Sequence, residues 1–206
     1  SKFYEPQAAY DLTIGRDVQK TKLKDTGNTK HFINPIGCPE ALKRYTLDDL
    51  GIARLFADTF RGEVLYLPEY KSYWVYHAGV WEQDKGDLRT RQLAKGIADY
   101  MWKIIPPPPP DPGPNEKKPD DEWKNHRKHY GKYRSLGYRK VLIQDAQDEL
   151  GGHASDFDRQ PMFFNCKNGT LDMRTLEFRE HRPEDYLTME FGITYDPAAD
   201  CTSWHS

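Results

Sequence analysis

Residues 163–186, FFNCKNGTLDMRTLEFREHRPEDY, are where local chemistry dictates geometry most strongly. Asn168-Gly169 is a hairpin signal, because both central residues of a type I′ turn need positive φ, which Gly tolerates freely and Asn better than most. A two-residue turn there pairs Lys167 with Thr170, Cys166 with Leu171, Asn165 with Asp172 and Phe164 with Met173. Side chains alternate across a strand, so Phe164, Cys166, Leu171 and Met173 share an apolar face, and Asn165, Lys167, Thr170 and Asp172 a polar one. A second turn near Thr175-Leu176 brings Phe178 onto the apolar face and sets Arg179 beside Asp172. The pattern predicts a three-stranded meander with one buried side, and a purely structural hairpin accounts for all of these residues.

Working outward, the first helix is announced by Thr46, with Asp48 and Asp49 in a first turn that favours carboxylates. Leu50, Ala53, Leu55, Phe56 and Phe60 then recur near helical spacing and predict a core face. Short strands follow at 63–67, 73–76 and 80–82. Trp74, Tyr76 and Trp81 could stack on bases, but building the apolar face of a small sheet explains them better. A second helix over 88–104 carries Leu93, Ile97, Tyr100, Met101 and Ile104 on one stripe. The five prolines Pro106–Pro110 end it, and 106–114 reads as a stiff polyproline spacer or exposed loop. Asp120, Asp121 and Glu122 suit a helix N-terminus, and 123–133 is rich in Lys, Arg, His and Tyr. Gly131 and Gly137 predict a break before a last helix over about 139–150, which places Leu142, Ala146 and Leu150 on one face and stops at Gly151-Gly152. Residues 1–45 lack a sustained apolar period and read as an extended arm or linker. The fold class expected is α+β, with helices packed around small antiparallel sheets and hairpins.

The 206 residues suffice for one domain with a substantial core plus an arm. No run approaches the roughly 18 apolar residues of a membrane span, and the polar start lacks a secretory apolar region. Those features predict a cytoplasmic protein without a membrane partner. Cys38, Cys166 and Cys201 are odd in number and far apart, against a disulfide scaffold or a zinc site. The formal charge of -2 conceals segregation: 117–140 holds nine Lys/Arg against three acids, a local +6 that leaves −8 for the rest.

That basic stretch is the candidate nucleic-acid site. Lys124, Arg127, Lys128, Lys132 and Arg134 could neutralise phosphates, and Tyr130, Tyr133 and Tyr138 could stack on bases. A basic helix is also often a solvated face. His126 and His129 sit three apart, a spacing compatible with a metal, but no third ligand is evident nearby. Asp156-Phe157-Asp158 has the Asp-x-Asp form that holds divalent ions in phosphoryl transfer. It falls between Gly151-Gly152 and Pro161, without an apolar strand to hold two carboxylates rigidly, and reads as structural. The phosphate loop GxxxxGK[ST] is missing, as are GxSxG and glycine-rich dinucleotide fingerprints.

The run FNCKNGTLDMRT, followed by FREHRPEDYLT and GITYDPAADCTSWH, resembles the domain that precedes the ATPase in phage, plasmid and poxvirus-type primase-helicases with superfamily three motors. Members typically show an Asn-Gly turn, a Leu-Asp-Leu-Arg-like strand, a His-x-Pro-x-Asp bend and a Tyr-Asp-Pro segment, in this order. They often carry Gly where Leu176 stands here. The resemblance is close over about 157–205, looser over 46–104, and absent over 1–45 and the insertion around 106–135. It implies, over 46–206 and after the arm read at 1–45, a non-catalytic helicase-associated accessory domain with a Pro-rich and basic insertion at about 105–135. It also implies a DNA-replication protein of a phage or other mobile element, acting in a bacterial host cell. This domain would link an upstream primase domain to a motor that uses ATP and magnesium, with no cofactor of its own and no catalytic or metal residues. Its implied partners are single-stranded DNA and further copies of the chain, through a hexameric ring. A metal-dependent nuclease or primase fragment using His153, Asp156 and Asp158 is the alternative.

Overall fold

The computed structural model describes residues 44–105 and 122–199. The expected arm up to residue 43, the Pro106–Pro110 tract, Asp120, Asp121, Cys38 and Cys201 lie outside them. Among the described residues, four α-helices and two three-stranded antiparallel sheets make the expected α+β arrangement. They divide into two compact units interleaved along the chain. A helical unit is drawn from 44–61 and 86–150, and a β unit from 62–85 and 151–199.

The helical unit holds α1 (Asp49–Phe60), α2 (Leu88–Lys103), α3 (Glu122–Lys132) and α4 (Leu136–Glu149). Both α1 and α2 pack on α4, and α3 packs on α2. Helix α1 is capped by Asp48 rather than Thr46: the Asp48 carboxylate accepts from the Gly51 amide at 2.7 Å, and the Thr46 hydroxyl donates to it at 2.6 Å. Those two bonds hold the Asp48 carboxyl below its usual range. Ile52, Ala53, Leu55, Phe56 and Phe60 form the buried stripe, while Leu50 is 49% exposed. Leu50 lies two residues before Ile52, about 200° round the helix, and so faces away from that stripe. On α2 the buried set is Thr90, Ala94, Ile97, Ala98 and Met101.

Gly131 does not break the chain, and α3 runs through it to Lys132. The turn instead falls at 133–135, with Ser135 as N-cap of α4 and Gly137 inside its first turn. A helical glycine costs only about 1 kcal/mol relative to alanine, and Arg139 secures the turn by donating to the carbonyls of Tyr133 and Arg134. Leu142, Ala146 and Leu150 are buried as expected.

In the β unit, β1 (Val64–Leu67), β2 (Ser72–His77) and β3 (Val80–Gln83) form one meander, and β4 (Phe163–Cys166), β5 (Gly169–Asp172) and β6 (Glu177–Arg179) the other. Later chain closes both edges of the first sheet: Gly152 donates to the Tyr66 carbonyl at 2.9 Å, and the Trp81 amide to the Leu187 carbonyl at 2.8 Å.

The second meander departs from the expected register. Cys166 faces Gly169, Asn165 faces Thr170, Phe164 faces Leu171 and Phe163 faces Asp172, so the loop residues are Lys167 and Asn168. Asn168 has no positive φ. Its side chain instead grips the Tyr195 backbone at both ends, accepting from the amide and donating to the carbonyl at 2.9 Å each. Gly169 is drawn into the strand because β6 passes close over it: a Cβ there would lie 2.4 Å from the Arg179 carbonyl oxygen. The shift of partners by two residues keeps every side chain on its expected face.

Burial, however, is not confined to one side. Asn165 and Thr170, assigned to the polar face, are each 1% exposed, and Met173 is 46% exposed. Asn165 tolerates burial because its amide donates to the carbonyls of Gly79 and Met189. Arg179 faces Thr170 rather than Asp172, and Asp172 closes its own turn by holding Arg174 at 3.1 Å.

Candidate nucleic-acid interface

Helix α3 sorts its residues by period. His129, Tyr130 and, just past its end, Tyr133 face inward and are buried, whereas Lys124, Arg127 and Lys128 face solvent. Tyr130 is 6% exposed and Tyr133 0%, so neither offers a ring to a base. Tyr133 instead donates its hydroxyl to Asp49 at 2.6 Å, and burial together with that carboxylate pushes its ionisation far above the usual phenol range. Lys132 also leaves the group, lying 3.9 Å from Asp49 and over the Tyr138 ring.

The aromatic surface comes from two tryptophans outside the expected set. Trp102, near the end of α2, and Trp123, in the first turn of α3, line an open concavity of about 520 Å³ with Lys124, Arg127, Lys128, Gly131 and Arg134. Among the described residues, none that lines it is acidic. The Arg127 guanidinium lies 4.9 Å from the Trp102 ring centre and 5.4 Å from that of Trp123, and the Arg134 guanidinium lies 5.3 Å from Trp102. Gly131 lets the two helices meet here, since a Cβ on it would stand 3.3 Å from the Trp102 ring. Arg134 also lies 3.6 Å from Asp99, with both side chains about half exposed. Four exposed cations and two indoles thus converge on one depression. The signal in the sequence was the helical period: 126, 129, 130 and 133 form one stripe, and 123, 124, 127, 128 and 131 the other.

The remaining candidates are occupied elsewhere. His129 is buried with Nε2 lacking a hydrogen-bond partner, and burial, then Lys132, holds its imidazolium form below the usual histidine range. His126 meets the Tyr130 ring edge-on. The Asp158 carboxylate accepts from the Thr188 amide and hydroxyl, while Asp156 pairs with Arg159 at 3.2 Å and His153 faces Glu69 at 3.6 Å. The three candidate ligands of the nuclease alternative therefore serve three different partners. Among the described residues no group of three or more His, Cys, Asp or Glu could hold a metal ion, and no helix is long and apolar enough to cross a membrane.

Trp81 belongs to the β unit's core, and the half-buried Trp74 and Tyr76 pack their rings in the same aromatic cluster, as the structural reading expects. Trp81 is 2% exposed, stacks on Tyr186, meets Phe157 edge-on and donates its indole N–H to the Pro183 carbonyl at 2.9 Å. The His-x-Pro-x-Asp bend is built round that contact: Pro183 supplies the acceptor, and Asp185 takes both terminal nitrogens of Arg179 at 2.7 Å each. Leu176 has φ 59° and ends the second turn. The D5 N terminal like family matches residues 53–206, and the match spans this bend and both meanders. The chain belongs to that family. Its members are the N-terminal domains of D5-type primase-helicases of phages and poxviruses. No curated protein matches the chain.

Proposed function

We propose that this D5 N-terminal domain is a non-catalytic adaptor between a primase and an ATP- and magnesium-dependent motor, and that its helical unit guides single-stranded DNA. The observation that carries the reading is the convergence of Lys124, Arg127, Lys128 and Arg134 round Trp102 and Trp123 on a chain of net charge -2. Cations neutralise phosphates irrespective of sequence, and exposed aromatic faces favour unpaired bases over duplex. The test is an anisotropy titration onto a labelled single strand across a range of salt concentrations. Binding should weaken steeply with salt, and replacing Lys124, Arg127, Lys128 and Arg134 by Glu should abolish it. Unchanged affinity in that variant would remove the reading. Lys132→Glu, whose partner is Asp49, should change affinity least.

A second role, as a collar between subunits of the ring, draws on a different observation. Met162, Met173, Met189, Phe191 and Ile193 of the β unit are each at least 42% exposed. Sedimentation of the chain alone tests it: self-association lost on Phe191→Asp supports the collar, and a monomer at high protein concentration argues against it.

A further inference from the structure

The concavity has a feature that a general basic face does not need. Arg127 lies over two indoles at once, one from each of two packed helices. A guanidinium is planar, delocalised and stacks on aromatic faces. In shape it resembles a small heterocycle lying over the same rings. We propose that the Trp102–Arg127–Trp123 arrangement is a slot for one unpaired nucleobase of single-stranded DNA, kept open by the Arg127 guanidinium until a base takes its place. The inference rests on the reading of this face as a single-strand guide and adds to it the ligand group and the residues that hold it.

Three observations converge on that occupant. The concavity is open to solvent, so a base can enter it from a strand that passes over the surface. Lys124, Lys128 and Arg134 are exposed at its margin, placed for the phosphates on either side of an inserted base, and the displaced Arg127 becomes a further phosphate partner. The Trp102 indole has Gly131 at one contact and the Arg134 guanidinium at another, so its ring is already oriented in the absence of ligand. A paired base has its faces covered by its neighbours, so the slot selects single strands over duplex.

The experiment compares three labelled ligands on the full chain by anisotropy: a 15-nucleotide oligothymidylate, a strand of equal length with abasic residues in place of the bases, and a duplex. The slot predicts that the wild type binds oligothymidylate roughly five- to a hundredfold more tightly than the abasic strand. Trp102→Ala should erase that difference, read as the ratio of the two affinities. Trp123→Ala, from the other helix, should do the same, and it keeps the test valid if Trp102→Ala unfolds. Equal wild-type affinity for the two strands, with steep salt dependence, would overturn the slot and leave the basic guide standing. Binding to none of the three ligands would overturn both.

Discussion

The helical unit and the β unit use the same residue types to opposite ends. In the β unit, Trp81 is sealed in, Arg179 spends its guanidinium on Asp185, and Asn165 and Asn168 tie down later backbone. In the helical unit, Trp102 and Trp123 lie half-exposed, and Arg127 stacks on them at the surface. The segments that carry the family resemblance are therefore mostly architecture, whereas the surface proposed to take DNA is built by α3 and the end of α2. A family signature can mark the scaffold while function resides in what the scaffold presents.

The comparison breaks most decisively at Trp81. Trp81→Ala should cost about 3–5 kcal/mol, because it empties a packed aromatic cluster and orphans the Pro183 carbonyl. Trp102→Ala should cost far less stability while weakening single-strand binding. Chemical denaturation of both variants checks the contrast, and equal costs would mean that both indoles are structural. Asp185→Ala should rank next, at about 3 kcal/mol, since it leaves Arg179 without its bidentate partner where the two side chains are only 16% and 9% exposed. Its affinity for single strands should not move. Leu176→Gly should act in the other direction, stabilising by about 1 kcal/mol: Leu176 is 70% exposed, so little packing is lost, and glycine relieves the left-handed backbone. A fall in melting temperature would contradict that assignment.

The two units should also respond to pH with opposite signs. Burial holds His129 below its ordinary 6.5, so the unfolded chain takes up a proton before the folded one does. Its effect on the helical unit is absent above about pH 6.5 and becomes destabilising as pH falls below it. Glu63, in the β unit, is pushed by burial from 4.5 to about 7, so its folded form keeps a proton longer than the unfolded chain. Its contribution is greatest below pH 4.5 and declines as pH rises toward 7. Hydrogen exchange across pH 5 to 8 reads each unit separately. His129→Gln and Glu63→Gln should each flatten one slope, and a slope that survives its substitution refutes that assignment.

Much of the fold was legible because it rests on local pattern. The stripes Ile97/Met101 and Leu142/Ala146/Leu150, and the strands about Val75 and Trp81, follow from periodicity and punctuation. The register of β4 with β5 was not legible, because it is decided by contacts far along the chain. Asn168 bonds to Tyr195 across 27 residues, and β6 lies close over Gly169. A turn propensity of order 1 kcal/mol yields to several such bonds. The candidate site was legible by charge but not by ring. Lys124, Arg127, Lys128 and Arg134 all converge, yet Tyr130 and Tyr133 beside them face inward, and of the two half-exposed indoles Trp102 lies before the proline-rich tract and outside the basic stretch.

The most direct test of the division between scaffold and guide is photocrosslinking of a single strand carrying 5-bromodeoxyuridine to the full chain, with the attached peptides mapped by mass spectrometry. The account predicts adducts on Trp102 and on peptides within 123–134, suppressed by unlabelled single strand but not by duplex. Adducts confined to 163–195, with none on Trp102 or α3, would contradict it.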